Sequence, residues 1–167
     1  AGSLSAIRLG GGQPQPLTML LLLLTFLHLR FFDELKDYLV DCQTHPERLL
    51  SRGVVTPADI RQWAMLCIFI EAGLAYKLGQ GVLWTWAACL VFTLLMRVEF
   101  GIGSWLNRHL LLYAITHNPI VGGLALVVLA STGAIWTPAY GLFVLAISFG
   151  SLALEIARKT WLIEEET

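Results

Sequence analysis

The sequence predicts an all-α, polytopic transmembrane helical bundle of about five spans. Of 167 residues, 56% are hydrophobic and only 14% charged, whereas a soluble domain carries about a quarter charged residues. The mean hydropathy is +0.69. The charges gather in short stretches between long apolar runs. The 11 basic and 12 acidic residues nearly cancel, to −1. That balance excludes a basic nucleic-acid binder and an acidic disordered tail. The expected partner is a lipid bilayer, with no nucleic acid. Three Cys, an odd number with Cys67 and Cys89 inside apolar runs, exclude a disulfide scaffold.

Residues 1–16 are small, Gly/Pro-rich and nonperiodic, and read as a flexible N-terminal segment. Residues 17–167 read as one transmembrane helical domain. A spanning helix needs about 20 apolar residues. Span A runs from Leu17 to about Phe32 and continues in helical pattern to about Cys42. It leads into acidic residues and not a small-residue cleavage site, so it is not read as a signal peptide. Span B covers Ile60 to Leu78, and span C covers Val82 to Met96. Span D runs from Leu110 to about Ser131, with Asn118-Pro119 and Gly122-Gly123 predicting a kink with close helix packing. Span E runs from Pro138 to about Ile156, with Pro138 suited to a first helical turn. Its small residues, among them Gly141, Ser148 and Gly150, suit close helix contact. The connections are a polar loop over 42–59, a tight turn at Gly79–Gly81, a charged loop over 97–109 and an uncharged one over 132–137. Trp84, Trp86, Trp105 and Trp161 read as interfacial anchors.

Basic residues set the expected orientation. Lys36, Arg48, Arg52, Arg61, Arg97, Arg108, Arg158 and Lys159 fall on one side, against Arg8 and Lys77 on the other. The richer side is expected to be cytoplasmic. The loop 42–59, the acidic end of span A and the C-terminus are then inside and the N-terminus outside. Cys42 is accordingly expected to be a reduced thiol. All the acids but Glu71 fall on the same inner side.

Four acids cluster at the end of span A, in Arg30-Phe-Phe-Asp33-Glu34-Leu-Lys36-Asp37-Tyr-Leu-Val-Asp41. Asp33, Asp37 and Asp41 are four apart. Each step of four turns the helix by about 40° and climbs about 6 Å, so all three share one face. Carboxylates stacked in this way repel one another, and a hard divalent cation removes the repulsion. Mg²⁺ prefers one or two carboxylates plus substrate phosphates, so the spacing suits a metal-bridged diphosphate at the membrane–water boundary. A solvated helix end with surface pairs Arg30–Glu34 and Asp33–Lys36 fits the same residues.

Beyond Asp41 the chain reads His45-Pro-Glu-Arg48-Leu49-Leu-Ser-Arg52-Gly53. Together with Asp33-Glu34-x-x-Asp37-x-x-x-Asp41 this resembles the UbiA superfamily of intramembrane prenyltransferases. Their first motif is Asn-Asp-x-x-Asp-x-x-x-Asp, followed by an Arg-Pro-x-x-x-Gly loop. Asp33 stands for the Asn, Glu34 for the first Asp and Leu49 for the Pro, while Arg48 and Gly53 keep their places. The resemblance implies that spans A to E are the second to sixth of nine helices, a partial fold of that kind. The second acidic motif would fall at Glu155-Ile-Ala-Arg158-Lys159, followed by Glu164, Glu165 and Glu166. It departs from Asp-x-x-x-Asp because Lys159 sits four after Glu155.

The resemblance further implies transfer of a prenyl group from a prenyl diphosphate to a lipophilic or aromatic acceptor, through an allylic cation and with Mg²⁺ as cofactor. Asp33, Asp37 and Asp41 would be the catalytic acids holding Mg²⁺, with Glu34 in support. Lys36, Arg48 and Arg52 would meet the diphosphate, as would Arg158 and Lys159 from the other helix end. The chain would then be a prenyl transferase or a segment of one, inactive if the cavity is incomplete. A different class is a noncatalytic membrane subunit or small transporter, with Glu71 as its intramembrane acid. An acid within a span is costly and functional by default. A CDP-alcohol phosphatidyltransferase is disfavoured, because Asp33 stands where its motif needs a Gly four before Asp37. The four His have no metal-ligand spacing.

Overall fold

The structure, a computed structural model, describes residues 16–106, 108–133 and 135–165, with residues 110 and 159–165 described by backbone alone. The segment expected to be flexible therefore lies outside the described residues, save Pro16, which opens the first helix. Among the described residues the chain is helical, with no strand. Helices α1 (Pro16–Thr44), α2 (Pro57–Leu78) and α3 (Gln80–Arg97) are followed by a 3₁₀ turn (Glu99–Gly101) and the short α4 (Gly103–Leu106). The rest of the chain forms α5 (Leu110–His117), α6 (Pro119–Ser131) and α7 (Pro138–Glu165). Spans A, B, C and E are each single helices, and span D is α5 plus α6. Span E runs on well past Ile156, because nothing in Glu155-Ile-Ala-Arg-Lys breaks a helix.

Among the described residues, four stretches are long and apolar enough to cross a membrane: Pro16–Thr44, Gln80–Arg97, Leu111–Ser131 and Pro138–Arg158. The expectation was about five. The helix of span B has the length, but Asp59, Arg61, Glu71 and Lys77 lower its apolarity.

The chain divides into two compact units, Pro16–Leu83 and a second beginning at Trp84. In the first, α1 packs along α2. Helix α1 buries Thr18, Leu21, Thr25, His28 and Phe32, at helical steps of three and four. Helix α2 answers with Ala64, Cys67, Glu71 and Ala75. Apart from Leu21 and Phe32, both stripes are small or polar, while Met19, Leu23 and Phe26 face outward. That is the pattern for helices in lipid, where small residues let backbones approach and polar ones bond across the gap.

The polar connection is residues 45–56, shorter than the expected 42–59, because helix geometry reaches Thr44 and resumes at Pro57. It is a run of tight turns, with Arg48 N–H on the His45 carbonyl at 3.2 Å and Arg52 N–H on the Arg48 carbonyl at 2.9 Å. Leu50 is its buried anchor. Gly53 takes φ +73, a left-handed conformation that suits glycine. Thr56 and Asp59 form a reciprocal capping box with Pro57 in the first turn. A single residue, Gly79 at φ +119, separates α2 from α3.

In the second unit, α7 packs on α5 and α6. Asn118 keeps helical angles at the α5–α6 junction, φ −61 and ψ −31. Its side-chain Nδ2 donates to the Ser148 carbonyl of α7 at 3.0 Å. Gly122 and Gly123 do bring helices close. A Cβ added at Gly122 would lie 2.8 Å from Ser148 Oγ, and one at Gly123 would lie 2.7 Å from Cys89 Sγ of α3. Glu99 and Phe100 have positive φ, 49 and 54, conformations side chains rarely adopt. The Phe100 ring is held edge-on between Phe92 and His117, each 5.6 Å away.

Candidate functional site

The acidic end of α1 lies in the first unit. Asp33 and Asp37, one helical turn apart, are exposed. Asp41 differs from them. It is 8% exposed, because the loop returns Arg48 over it, with Arg48 Nη1 donating to Asp41 Oδ2 at 2.5 Å. The three carboxylates thus follow one helix face but end in two environments. Two are exposed at the surface and the third is covered by a guanidinium. The turns after His45 make that contact possible, since they fold seven residues back on the helix end.

Arg48 also lines an open cleft of about 450 Å³ beside α1. Its polar wall is Arg30, Glu34 and Arg48, and its apolar wall is Phe31, Leu49, Leu50, Val55 and Ile60. Glu34 Oε1 accepts from Arg30 Nη2 at 2.5 Å, the surface pair the spacing suggested. Of the expected diphosphate contacts, Arg48 is at the cleft. Lys36 is half-buried and Arg52 exposed, and neither lines it. Arg158 lies in the second unit, paired with Glu155 on its own helix, and the Lys159 side chain lies outside the described residues.

The donor set bears on the expected Mg²⁺. Among the described residues no group of three or more His, Cys, Asp and Glu side chains converges as a metal cage. Mg²⁺ does not require one, since it takes one or two carboxylates together with phosphates and water. Asp33 and Asp37, exposed and a turn apart, fit that demand. Asp41 does so only if Arg48 lets it go.

A second polar cluster sits inside the α1–α2 pair. Glu71 is 0% exposed and His28 1%. His28 Nδ1 lies 2.7 Å from Glu71 Oε1. The Thr25 hydroxyl is 2.9 Å from the Leu21 carbonyl and 3.3 Å from Glu71 Oε2, and its single proton serves one of the two. The Phe32 ring stands 5.2 Å from the imidazole. The sequence singled out Glu71 but gave no role to His28 or Thr25. The signal was present: Thr18, Thr25 and His28 are the polar interruptions of a leucine-rich run, and they fall on one helical face. In a span, a polar face marks the packed side.

Comparison with family models, with curated proteins and with solved structures gives no match.

Proposed function

We propose that this chain is a UbiA-like prenyltransferase that binds a prenyl diphosphate at the inner end of α1. The observation that carries the reading is the Asp41–Arg48 contact. It joins the acidic helix end to a cleft with Arg30, Glu34 and Arg48 at its polar wall and with an apolar wall, while Asp33, Asp37 and Asp41 lie outside the lining. A prenyl diphosphate has the matching halves, a polyanionic head and an apolar tail.

In this reading the residues divide the work. Asp33 and Asp37, with Glu34 in support, hold Mg²⁺, which when bound neutralises phosphate charge and eases departure of the diphosphate. The planar fork of Arg48 suits phosphate oxygens. Arg48 exchanges partners: it covers Asp41 when the head is absent and turns to the phosphates when it arrives. Arg52 and Lys36 add positive charge to this end of the first unit without lining the cleft. Phe31, Leu49, Val55 and Ile60 take the first part of the tail and keep water from the carbon where positive charge develops. Orientation with this end in the cytoplasm follows from the basic residues.

The test is direct binding of a prenyl diphosphate to the full chain in detergent or nanodiscs. The expected result is Mg²⁺-dependent binding that is lost in Asp37→Ala and Arg48→Ala and kept in Glu71→Gln. Binding indifferent to Mg²⁺, or unchanged in Asp37→Ala, defeats the proposal.

One observation favours a second reading, a noncatalytic membrane subunit or small transporter. Glu71 is wholly buried and bonded to His28, as coupling acids within membranes are. Transport lost in Glu71→Gln and intact in Asp37→Ala selects that reading.

A further inference from the structure

The second unit holds a cleft of about 360 Å³ between α7 and the α5–α6 pair. Its volume lies within the range of small-molecule sites, roughly 300–1,000 Å³. The proposal for the end of α1 uses none of its residues.

On the α7 side the wall is Ser151, Leu154, Glu155 and Arg158. These are steps of three, four and seven, one stripe of one helix. From Ser151 to Arg158 the stripe climbs about 10 Å. Glu155 and Arg158 are the first charged residues of α7 after the uncharged run that begins at Pro138, so the charged end of the cleft lies toward the membrane boundary and Ser151 lies deeper. On the facing side His117 and Asn118 are fixed. His117 Nδ1 lies 2.9 Å from the Tyr113 carbonyl, which can only accept, so Nδ1 carries the proton. The imidazole stacks on Tyr113 with centroids 4.0 Å apart. Asn118 is tied to Ser148. Ile120 and Val121 supply the apolar remainder.

The head that fits is set by the ion pair. Arg158 Nε and Nη2 donate to the two Glu155 oxygens at 3.0 and 2.8 Å. One edge of the guanidinium is thereby filled and the end-on edge, with the Nη1 hydrogens, lies outside that pair. The side chains are 61% and 35% exposed, so the pair is weak and exchangeable. A simple anion on Arg158 would be pressed against the Glu155 carboxylate. A head carrying both a phosphate and a primary ammonium satisfies both: the phosphate takes Arg158, and the ammonium donates to Glu155. Net charge at the site stays at zero.

We propose that this cleft binds a zwitterionic phosphate–amine head, the headgroup chemistry of phosphatidylethanolamine or of free phosphoethanolamine. The acyl part of the lipid form lies along Leu154 and Ile120. A choline head fits worse, since its quaternary nitrogen has no hydrogen to donate.

The experiment places the full chain in nanodiscs of mixed lipid and measures retention of phosphatidylethanolamine, phosphatidylcholine and phosphatidylglycerol by native mass spectrometry. Phosphatidylethanolamine should be retained at least about fivefold over both others, a preference worth one charge-assisted hydrogen bond. Arg158→Gln should abolish the preference. Glu155→Gln should invert it toward phosphatidylglycerol, because the remaining Arg158 then favours a plain anion. Displacement by free O-phosphoethanolamine, set against lyso-phosphatidylethanolamine, tells the soluble source from the lipid; either upholds the headgroup chemistry. Equal retention of the three lipids overturns the proposal, as does a Glu155→Gln preference identical to that of the unsubstituted chain.

Discussion

His28 Nδ1 and Glu71 Oε1 lie 2.7 Å apart in the interior of the α1–α2 pair, with neither side chain more than 1% exposed. A buried polar group whose bonded partner is removed is left unsatisfied, at a cost of about 1–3 kcal/mol. Glu71→Ala should therefore destabilise the chain by about 1–3 kcal/mol, since it leaves the buried imidazole without this bond. The double variant His28→Leu/Glu71→Leu should recover most of the loss, because apolar pairs of similar volume pack there without desolvation cost. Thermal unfolding in detergent measures both. A double variant no more stable than Glu71→Ala would show that the pair's own bonds, and not the unsatisfied imidazole, decide the stability of the helix pair.

The contact between these two helices was half legible in the sequence. Glu71 stood out because carboxylates are rare inside apolar runs. His28 did not, because a single histidine without metal-ligand spacing carries no signal of its own. Only the register of α1 against α2 brings the two to one depth, and register is a property of packing that no single helix encodes. The acid run over 33–41 shows the same division. Its helical phase followed from spacing alone. The separation of Asp41 from Asp33 and Asp37 did not, because it depends on how residues 45–53 fold back to deliver Arg48. The long helices were readable from apolar length, whereas the 3₁₀ turn and α4 lie in the stretch read as a charged loop, and helix ends were displaced by a few residues wherever Thr, Gln or Pro continue a turn.

Arg48 should matter to both stability and binding. Asp41 is nearly buried and carries its counter-charge from Arg48. Arg48→Ala should destabilise the loop by about 1–3 kcal/mol, the cost of leaving a hydrogen-bonding group unsatisfied. Asp41→Asn should be milder, because the guanidinium is itself 43% exposed and water serves it. Limited proteolysis of residues 45–56 ranks the two. Faster cleavage in Asp41→Asn than in Arg48→Ala would contradict the ordering.

The start of α2 should be acid-sensitive. Asp59 accepts from the Thr56 hydroxyl and backbone N–H at 2.7 and 2.9 Å, and these bonds hold its carboxyl below the usual carboxylate range. A depressed folded pKa means that protonation weakens the fold. The contribution is present in full above the unfolded-state pKa, about 3.9, and disappears as pH falls through the lower folded value. Hydrogen exchange at the first turn of α2 should accelerate below that range in the unsubstituted chain and lose its acid step in Asp59→Asn. Thr56→Ala, which removes the other half of the box, should cost about 1 kcal/mol at neutral pH.

The close approach at the start of α6 should be intolerant of added volume. At Gly123 a methyl group would sit 2.7 Å from Cys89 Sγ, well inside contact distance, and at Gly122 2.8 Å from Ser148 Oγ. Ser148 is itself committed, its hydroxyl donating to the Val144 carbonyl at 2.8 Å and its own carbonyl accepting from Asn118. It cannot retreat without loosening α7 from the α5–α6 junction. Overpacking of this kind typically costs about 1–3 kcal/mol. Gly122→Ala and Gly123→Ala should each lower the thermal midpoint, and Gly122→Ala should also weaken the Asn118–Ser148 bond. Asn118→Ala removes only that bond, worth about 1 kcal/mol. If the two act through one contact, the double variant Gly122→Ala/Asn118→Ala loses less than the sum of its parts. Full additivity of the two losses would show that the glycine and the asparagine hold α7 independently.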